Sequence, residues 1–306
     1  MMDSHAHKAK LLLLLVPIFA VVAISGCTQS NTPASGPGVV ILNWEPTLSS
    51  VESGDPLQLR VKVQNQGTLL AQDVKAVLIG ISVDEWGLGA QTILPFGEML
   101  PYNTVQQTAG ETRQGTYDLV APRLSKGTTL TYSPQVRVYY HYKTTAIKPI
   151  TLVNDAELVR LQDQGKTLSS GDTQSSAGPL KVTMSTGKFI KTKDYGFARN
   201  VFPINIVIQN TGGGVVSTMG VPQNDYLVNV KIEFPSRLTG DCGTGAFSGG
   251  NVQLWKGQDT TLTCNVQINS PPLASEEATI KVTLEYDYYT ESKTSITVAG
   301  TEDNVW

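Results

Sequence analysis

Few residues in this chain can do chemistry. Three histidines and three cysteines stand among 306 residues. His5 and His7 lie near the N-terminus, ahead of an apolar run. His141, in "YYHYK", is then the one histidine of the rest. A general base needs a readable partner constellation, and none accompanies His141, so a solvated or interfacial side chain is expected and the chain reads as no enzyme. A zinc site needs more His or Cys than remain. The glycines of "GDCGTGAFSGG" (240–250) lack the strand–glycine–helix setting of a phosphate cradle. The acidic residues show no EF-hand spacing, although an interstrand calcium site has no linear motif and stays open. The reading is therefore of no metal and no cofactor. What remains is surface chemistry. Tyr139, Tyr140 and Tyr142 crowd one stretch, and Tyr286, Tyr288 and Tyr289 another. Adjacent strand residues point to opposite faces. Some of these rings should fill the core, and others offer a surface that is apolar with a wet tip. Together the six are the candidate interaction surface.

The cysteines say where the chain resides. Lys8 and Lys10 precede an apolar run from Leu11 to Ala23, followed by small Ser25 and Gly26, in the manner of a signal peptide. The uncharged stretch Leu11–Gly26 has 16 residues, fewer than the roughly 20 of a spanning helix. Ile24-Ser25-Gly26-Cys27 resembles the lipobox of prokaryotic lipoproteins, an aliphatic residue and two small ones before a cysteine. The resemblance implies cleavage before Cys27 and a diacylglyceryl group on its sulfur. Two acyl chains are about what stable anchoring takes. An uncleaved helical anchor is the other reading. Lipidation of Cys27 would leave Cys242 and Cys264 as an even pair. In an oxidising exterior they can bridge; two buried free thiols are the alternative.

These groups must be held by strands. Charged residues are 16% and net charge is −3, with no basic stripe of the kind nucleic acid demands. Residues 27–38 read as a Ser/Pro/Gly tether. From Val39 onward a period of two dominates. In "LQLRVKVQNQG", Leu57, Leu59, Val61 and Val63 share one face, a strand with one wet side. A second alternating region contains Phe202, Ile204, Ile206 and Ile208. In "TTLTCNVQI", Leu262, Cys264, Val266 and Ile268 share a face, so Cys264 belongs to a core row. Between the two regions, "NDAELVRLQDQG" predicts a short helix. Asn154 is its N-cap, Glu157 the capping-box partner, Leu158 and Leu161 its buried face, and Gly165 its C′ residue.

The two regions repeat. "VKVQNQG" (61–67) parallels "IVIQNTG" (206–212) at an offset of 145. "VRVYYHYKTTAIKPITL" (136–152) parallels "VTLEYDYYTESKTSITV" (282–298) at 146. The shared "QNxG" is read as a strand end whose Asn65, Asn210 or following Gly turns with positive φ. Seven or so short strands per unit suggest an immunoglobulin-like sandwich. "SGDPLQLRVKVQNQGTLLAQDVKAVLI" (53–79) resembles the opening of CARDB-like, adhesion-related Ig-like domains of archaeal and bacterial surface proteins, and "FPINIVIQNTGGGVVS" (202–217) matches it more loosely. The expected fold is all-β, two tandem Ig-like β-sandwiches. Residues 1–26 form a signal or anchor, 27–38 a tether, 39–153 the first sandwich, 154–178 a short helix and linker, 179–300 the second sandwich and 301–306 a tail. The expected role is that of a non-enzymatic, lipid-anchored protein on the outer face of the cell membrane. It would meet a protein or glycan partner in adhesion, binding or envelope structure. A filament or lattice subunit assembling by β-strand addition through "VVILNW" is one alternative. An accessory module of a secreted enzyme or transporter is another.

Overall fold

The computed structural model describes residues 36–89, 91–193, 200–243 and 249–301. The signal segment, His5, His7, Cys27 and most of the tether lie outside the described residues, as does the tail beyond residue 301. Over the described residues the fold is an all-β sandwich with one α-helix. Alternation in the sequence becomes alternation in burial: in β3 (Pro56–Asn65), Leu57, Leu59, Val61 and Val63 are buried while Arg60 and Lys62 are exposed. β12 (Val201–Asn210) does the same with Phe202, Ile204, Ile206 and Ile208.

Each repeat builds its own outer sheet. In the first, β1 (Val39–Pro46), β3 and β6 (Thr112–Val120) lie in the order β1-β3-β6. In the second, β10 (Leu180–Ser185), β12, β17 (Asp259–Ile268) and β15 (Leu238–Asp241) lie in the order β10-β12-β17-β15. "VVILNW" is thus the edge strand of its own sheet, hydrogen-bonded to β3 from Val39↔Asn65 to Pro46↔Leu59. Cys242 and Cys264 form a disulfide that ties the end of β15 to β17, and Cys264 is fully buried in the core row.

The repeats are tandem in sequence but continuous in space. They share one nine-stranded sheet built on β8 (Gln135–Asn154) and β18 (Ser275–Lys293), which pair antiparallel along all 19 residues of β18. On one side of this ribbon lie β4 (Ala71–Ile79) and β5 (Ile93–Met99), on the other β14 (Leu227–Glu233) and β16 (Gly249–Gln253). Read inward, the order is β5-β4-β8 from one edge and β16-β14-β18 from the other. The arrangement has an approximate two-fold axis. The repeat offset is 146, and 141 + 146 = 287: His141 and Asp287, equivalent in the two repeats, lie directly opposite each other. The same symmetry governs the ends. β11 (Ile190–Thr192) of the second repeat pairs in parallel with Leu152–Asn154 of β8. β2 (Ser50–Glu52) of the first repeat pairs in parallel with β19 (Ile296–Ala299), which also pairs with β7 (Thr129–Tyr132). Each repeat's last strand therefore runs on into the other repeat's edge. All described residues fall in one compact unit.

The segment between the repeats is stitched to this ribbon. Asn154 caps α1 (Asp155–Asp163) by accepting from the Glu157 amide at 2.9 Å, and Leu158 and Leu161 are buried. Gly165 ends the helix at φ +68°, a conformation glycine adopts without steric cost. Farther on, β9 (Gln174–Ser175) pairs with β8, and the buried Lys148 ammonium donates to the Gly171 carbonyl at 2.7 Å. Among the described residues no helix is long and apolar enough to cross a membrane.

Candidate interaction face and its central polar cluster

β8 and β18 sort the six tyrosines by parity. Tyr140, Tyr142, Tyr286 and Tyr288 are at most 3% exposed. They belong to the core, and only Tyr139 and Tyr289 remain on the solvent face, so the candidate surface contracts from six rings to two. Strand alternation is the physical reason. The buried four pack against one another across the axis, Tyr140 with Tyr288 at 5.7 Å and Tyr142 with Tyr286 at 6.3 Å between ring centroids. Burial holds their phenols neutral: the Tyr142 and Tyr288 hydroxyls are pushed up to about 12, and those of Tyr140 and Tyr286 are raised as well.

Their hydroxyls explain the repeated "QNxG". Tyr142 Oη accepts from the Leu69 amide and donates to the Ala177 carbonyl, both at 3.2 Å. Tyr288 Oη accepts from the Gly214 amide at 2.7 Å and donates to Asn210 Oδ1 at 2.8 Å. Asn65 donates to the carbonyls of Leu69 and Met99, both at 3.0 Å, and accepts from the Gly67 amide at 3.1 Å. Asn210 does the same with Gly214 (2.9 Å), Gly257 (3.0 Å) and Gly212 (3.2 Å). These asparagines satisfy turn backbone. The expected positive φ is a point of correction, because neither Gly67 nor Gly212 is left-handed. Each is glycine for want of space. A Cβ on Gly212 would sit 2.6 Å from Tyr288 Oη and 2.9 Å from Pro179 Cα, and one on Gly67 would overlap Tyr142 Oη.

The opposite, solvent face of the ribbon carries charge pairs across the two strands. Arg137 meets Glu291 at 3.1 Å and Lys143 meets Glu285 at 2.7 Å. Tyr139 and Tyr289 lie 5.1 Å apart, and the Arg137 guanidinium sits 4.7 Å from the Tyr289 centroid, within cation–π range. On the axis, His141 Nδ1 and Asp287 Oδ1 are 2.9 Å apart, and Thr218 Oγ1 donates to Asp287 Oδ2 at 2.7 Å. The hydrogen bond that His141 donates to the Asp287 carboxylate raises the His141 pKa against the opposing effect of burial, and the same bond lowers that of Asp287.

Thr218 is there because the repeats differ. The first repeat passes from β3 to β4 through residues 66–70. The second uses residues 211–226, including β13 (Val215–Val216), which pairs with β18. This longer connection lies against the axis and frames two hollows that meet at His141, Thr218 and Asp287. One, of about 100 Å³, is walled by Asp73, Lys75, Tyr139 and Met219. The other, of about 290 Å³, is walled by Asn224, Asn229, Asn251 and Glu285. His141 was singled out in the sequence; Asp287 and Thr218 were not. The 146-residue offset, which aligns Asp287 with His141, was the signal that could have found the first. Nothing local marks Thr218. Among the described residues no group of three or more His, Cys, Asp or Glu is placed to hold a metal ion.

No protein-family model matches this sequence, and no curated protein matches it. Solved structures give distant likenesses. Envelope protein VP37 from White Spot Syndrome Virus is 6% identical, with 49% of this chain and 98% of that chain covered and a TM-score of 0.22. Escherichia coli alpha-2-macroglobulin is 11% identical over 87% of this chain at a TM-score of 0.22, and the match spans 22% of that chain. The collagen adhesin of S. aureus is 8% identical, with 87% of this chain and 94% of that chain covered and a TM-score of 0.13. At such scores the likenesses carry no argument about this chain.

Proposed function

We propose that this chain is a non-enzymatic, lipid-anchored cell-surface protein that presents the solvent face of its shared sheet to a partner in adhesion or envelope structure. The observation that carries the reading is the Cys242–Cys264 disulfide. Structural disulfides persist in oxidising compartments, which supports export. The bond also uses two of the three cysteines and leaves Cys27, in its lipobox-like setting, as the odd thiol. A tether of polar residues then joins an anchor to a body whose halves are locked by a shared ribbon, an arrangement suited to display.

The test is fractionation after metabolic lipid labelling. The wild-type chain should take up label and stay with membranes through a high-salt, detergent-free wash. Cys27→Ser should take up none and leave the membrane fraction. A Cys27→Ser chain that stays with the membrane at the wild-type level defeats the lipid anchor. The edge position of β1 supports a second reading, assembly by strand addition. In its own sheet β1 is already paired with β3, and a strictly monomeric species at high concentration removes that reading.

A further inference from the structure

Resting on the reading of this face as a binding surface, we propose that the two hollows at the symmetry axis form one subsite for a neutral saccharide. The charge balance selects the ligand class. Both basic side chains that wall the hollows face a carboxylate, Lys75 with Asp73 at 2.6 Å and His141 with Asp287 at 2.9 Å, and the wall carboxylate Glu285 is paired from outside by Lys143 at 2.7 Å. An anionic ligand would have to compete with these carboxylates. What the walls present beyond the pairs is neutral hydrogen-bonding capacity. Asn224, Asn229 and Asn251 are exposed amides on three separate segments that converge on the larger hollow. An amide both donates and accepts, as a sugar hydroxyl does. Asn229 Nδ2 donates to Asn251 Oδ1 at 3.1 Å, which fixes both side chains and leaves one acceptor and one donor group for a ligand. The smaller hollow supplies an aromatic wall, Tyr139, whose ring is stacked at a tilt on Tyr289. A pyranose presents a C–H face to such a ring while its hydroxyls meet the amides. A volume of about 290 Å³ lies near the lower end of small-molecule sites, about 300–1,000 Å³.

The site is single because only the second repeat has the longer connection. The turn at 66–70 supplies no counterpart of Thr218, Met219 or Asn224 at the other side of the axis. The symmetric ribbon provides the floor, and the asymmetric connection provides the wall.

The purified full chain should be titrated with chitotriose, maltotriose and mannotriose by saturation-transfer difference NMR and calorimetry, with a sulfated heparin hexasaccharide as anionic control. At least one neutral trisaccharide should bind. Asn251→Ala and Tyr139→Ala should each raise its Kd by about tenfold, the loss of one good contact, and Lys191→Ala, outside the hollows, should leave it unchanged. Asn251 is exposed, so its truncation leaves the core alone. Binding of the anionic control alone, no binding of any neutral probe, or a Kd indifferent to both substitutions overturns the proposal. Membrane release of Cys27→Ser is read separately, so either idea can fail without the other.

Discussion

Adding one methyl group at Gly67 tests the account of "QNxG" directly. Two of the three atoms nearest a Cβ there belong to Tyr142, Oη and then Cζ at 2.9 Å, followed by the Ala177 carbonyl oxygen at 3.1 Å. Gly67→Ala must therefore push the ring aside, and overpacking of this kind costs about 1–3 kcal/mol. Displacing the ring also breaks its bonds with the Leu69 amide and the Ala177 carbonyl. The Ala177 carbonyl keeps the Thr68 amide at 3.0 Å, whereas the half-buried Leu69 amide loses its partner, which adds about 1–2 kcal/mol. Tyr142→Phe alone should lose the same hydrogen bonds and so cost about 1–2 kcal/mol. In the double variant the oxygen is gone and the bonds are lost once, so the two costs should fall short of their sum by about 2 kcal/mol, well beyond the ~0.5 kcal/mol scatter of independent sites. Urea unfolding of the four proteins measures this. The second repeat is an internal control. At Gly212 only one of the three nearest atoms is the tyrosine hydroxyl, and Pro179 Cα at 2.9 Å and Cβ at 3.0 Å remain after Tyr288→Phe. The rescue there should be smaller. Additive costs at Gly67, or a larger rescue at Gly212, would refute the reasoning.

Three further outcomes follow from the same contacts. Asp287→Asn should drop the His141 pKa, followed by NMR, below 6.5, because the hydrogen bond that raises it is lost and the opposing burial remains. In the wild type, His141 contributes stability that is complete below 6.5 and lost as pH rises through its raised value, while the contribution of Asp287 is present above 3.8 and lost as pH falls through its lowered value. An unchanged His141 titration in the variant contradicts the pairing. Cys264→Ala should cost about 3 kcal/mol for a bridge closing this span, seen as a lower urea midpoint than the oxidised parent; reductant should lower the parent and leave the variant unmoved. Asn154→Ala should cost about 1–2 kcal/mol, more than an ordinary exposed cap, since the Asn154 amide also donates to the Leu273 carbonyl at 2.8 Å; a loss below 0.5 kcal/mol by the same assay would deny that second role.

Strand alternation, the helix cap and the core row of Cys264 were legible because each depends on local period and residue type. Asn154, Leu158 and Leu161 fill the places their spacing implies. Glu157 does not complete the expected capping box: its carboxylate takes the Arg160 guanidinium, and the Asn154 backbone N–H donates to the Ala274 carbonyl at 3.0 Å instead. The repeat was legible too, but its consequence was not. An offset of 146 between two similar strands says nothing of whether they meet, since pairing between β8 and β18 is a long-range contact set by the whole fold. For the same reason the tyrosines could be divided by parity but not assigned to faces. Gly67 and Gly212 were misread because a glycine needed for room and a glycine needed for positive φ look alike in sequence. The distinction lies in a hydroxyl brought from 75 or 76 residues away (142 − 67 and 288 − 212).

The position of His141 opposite Asp287 has a meaning for how such a molecule departs from symmetry. In two identical chains related by a true two-fold axis, the residue at the crossing point faces its own copy. Histidine would meet histidine there, or aspartate would meet aspartate, and like charges directly opposite on a sheet repel. Linking the copies in one chain lifts that constraint at this one rung of the ladder before any other, because elsewhere a symmetric pair can already hold unlike residues. The charge pair between His141 and Asp287 is thus a feature that a linked chain can form and that two separate identical copies cannot. It sits beside the one connection, residues 211–226, in which the two repeats differ most in length.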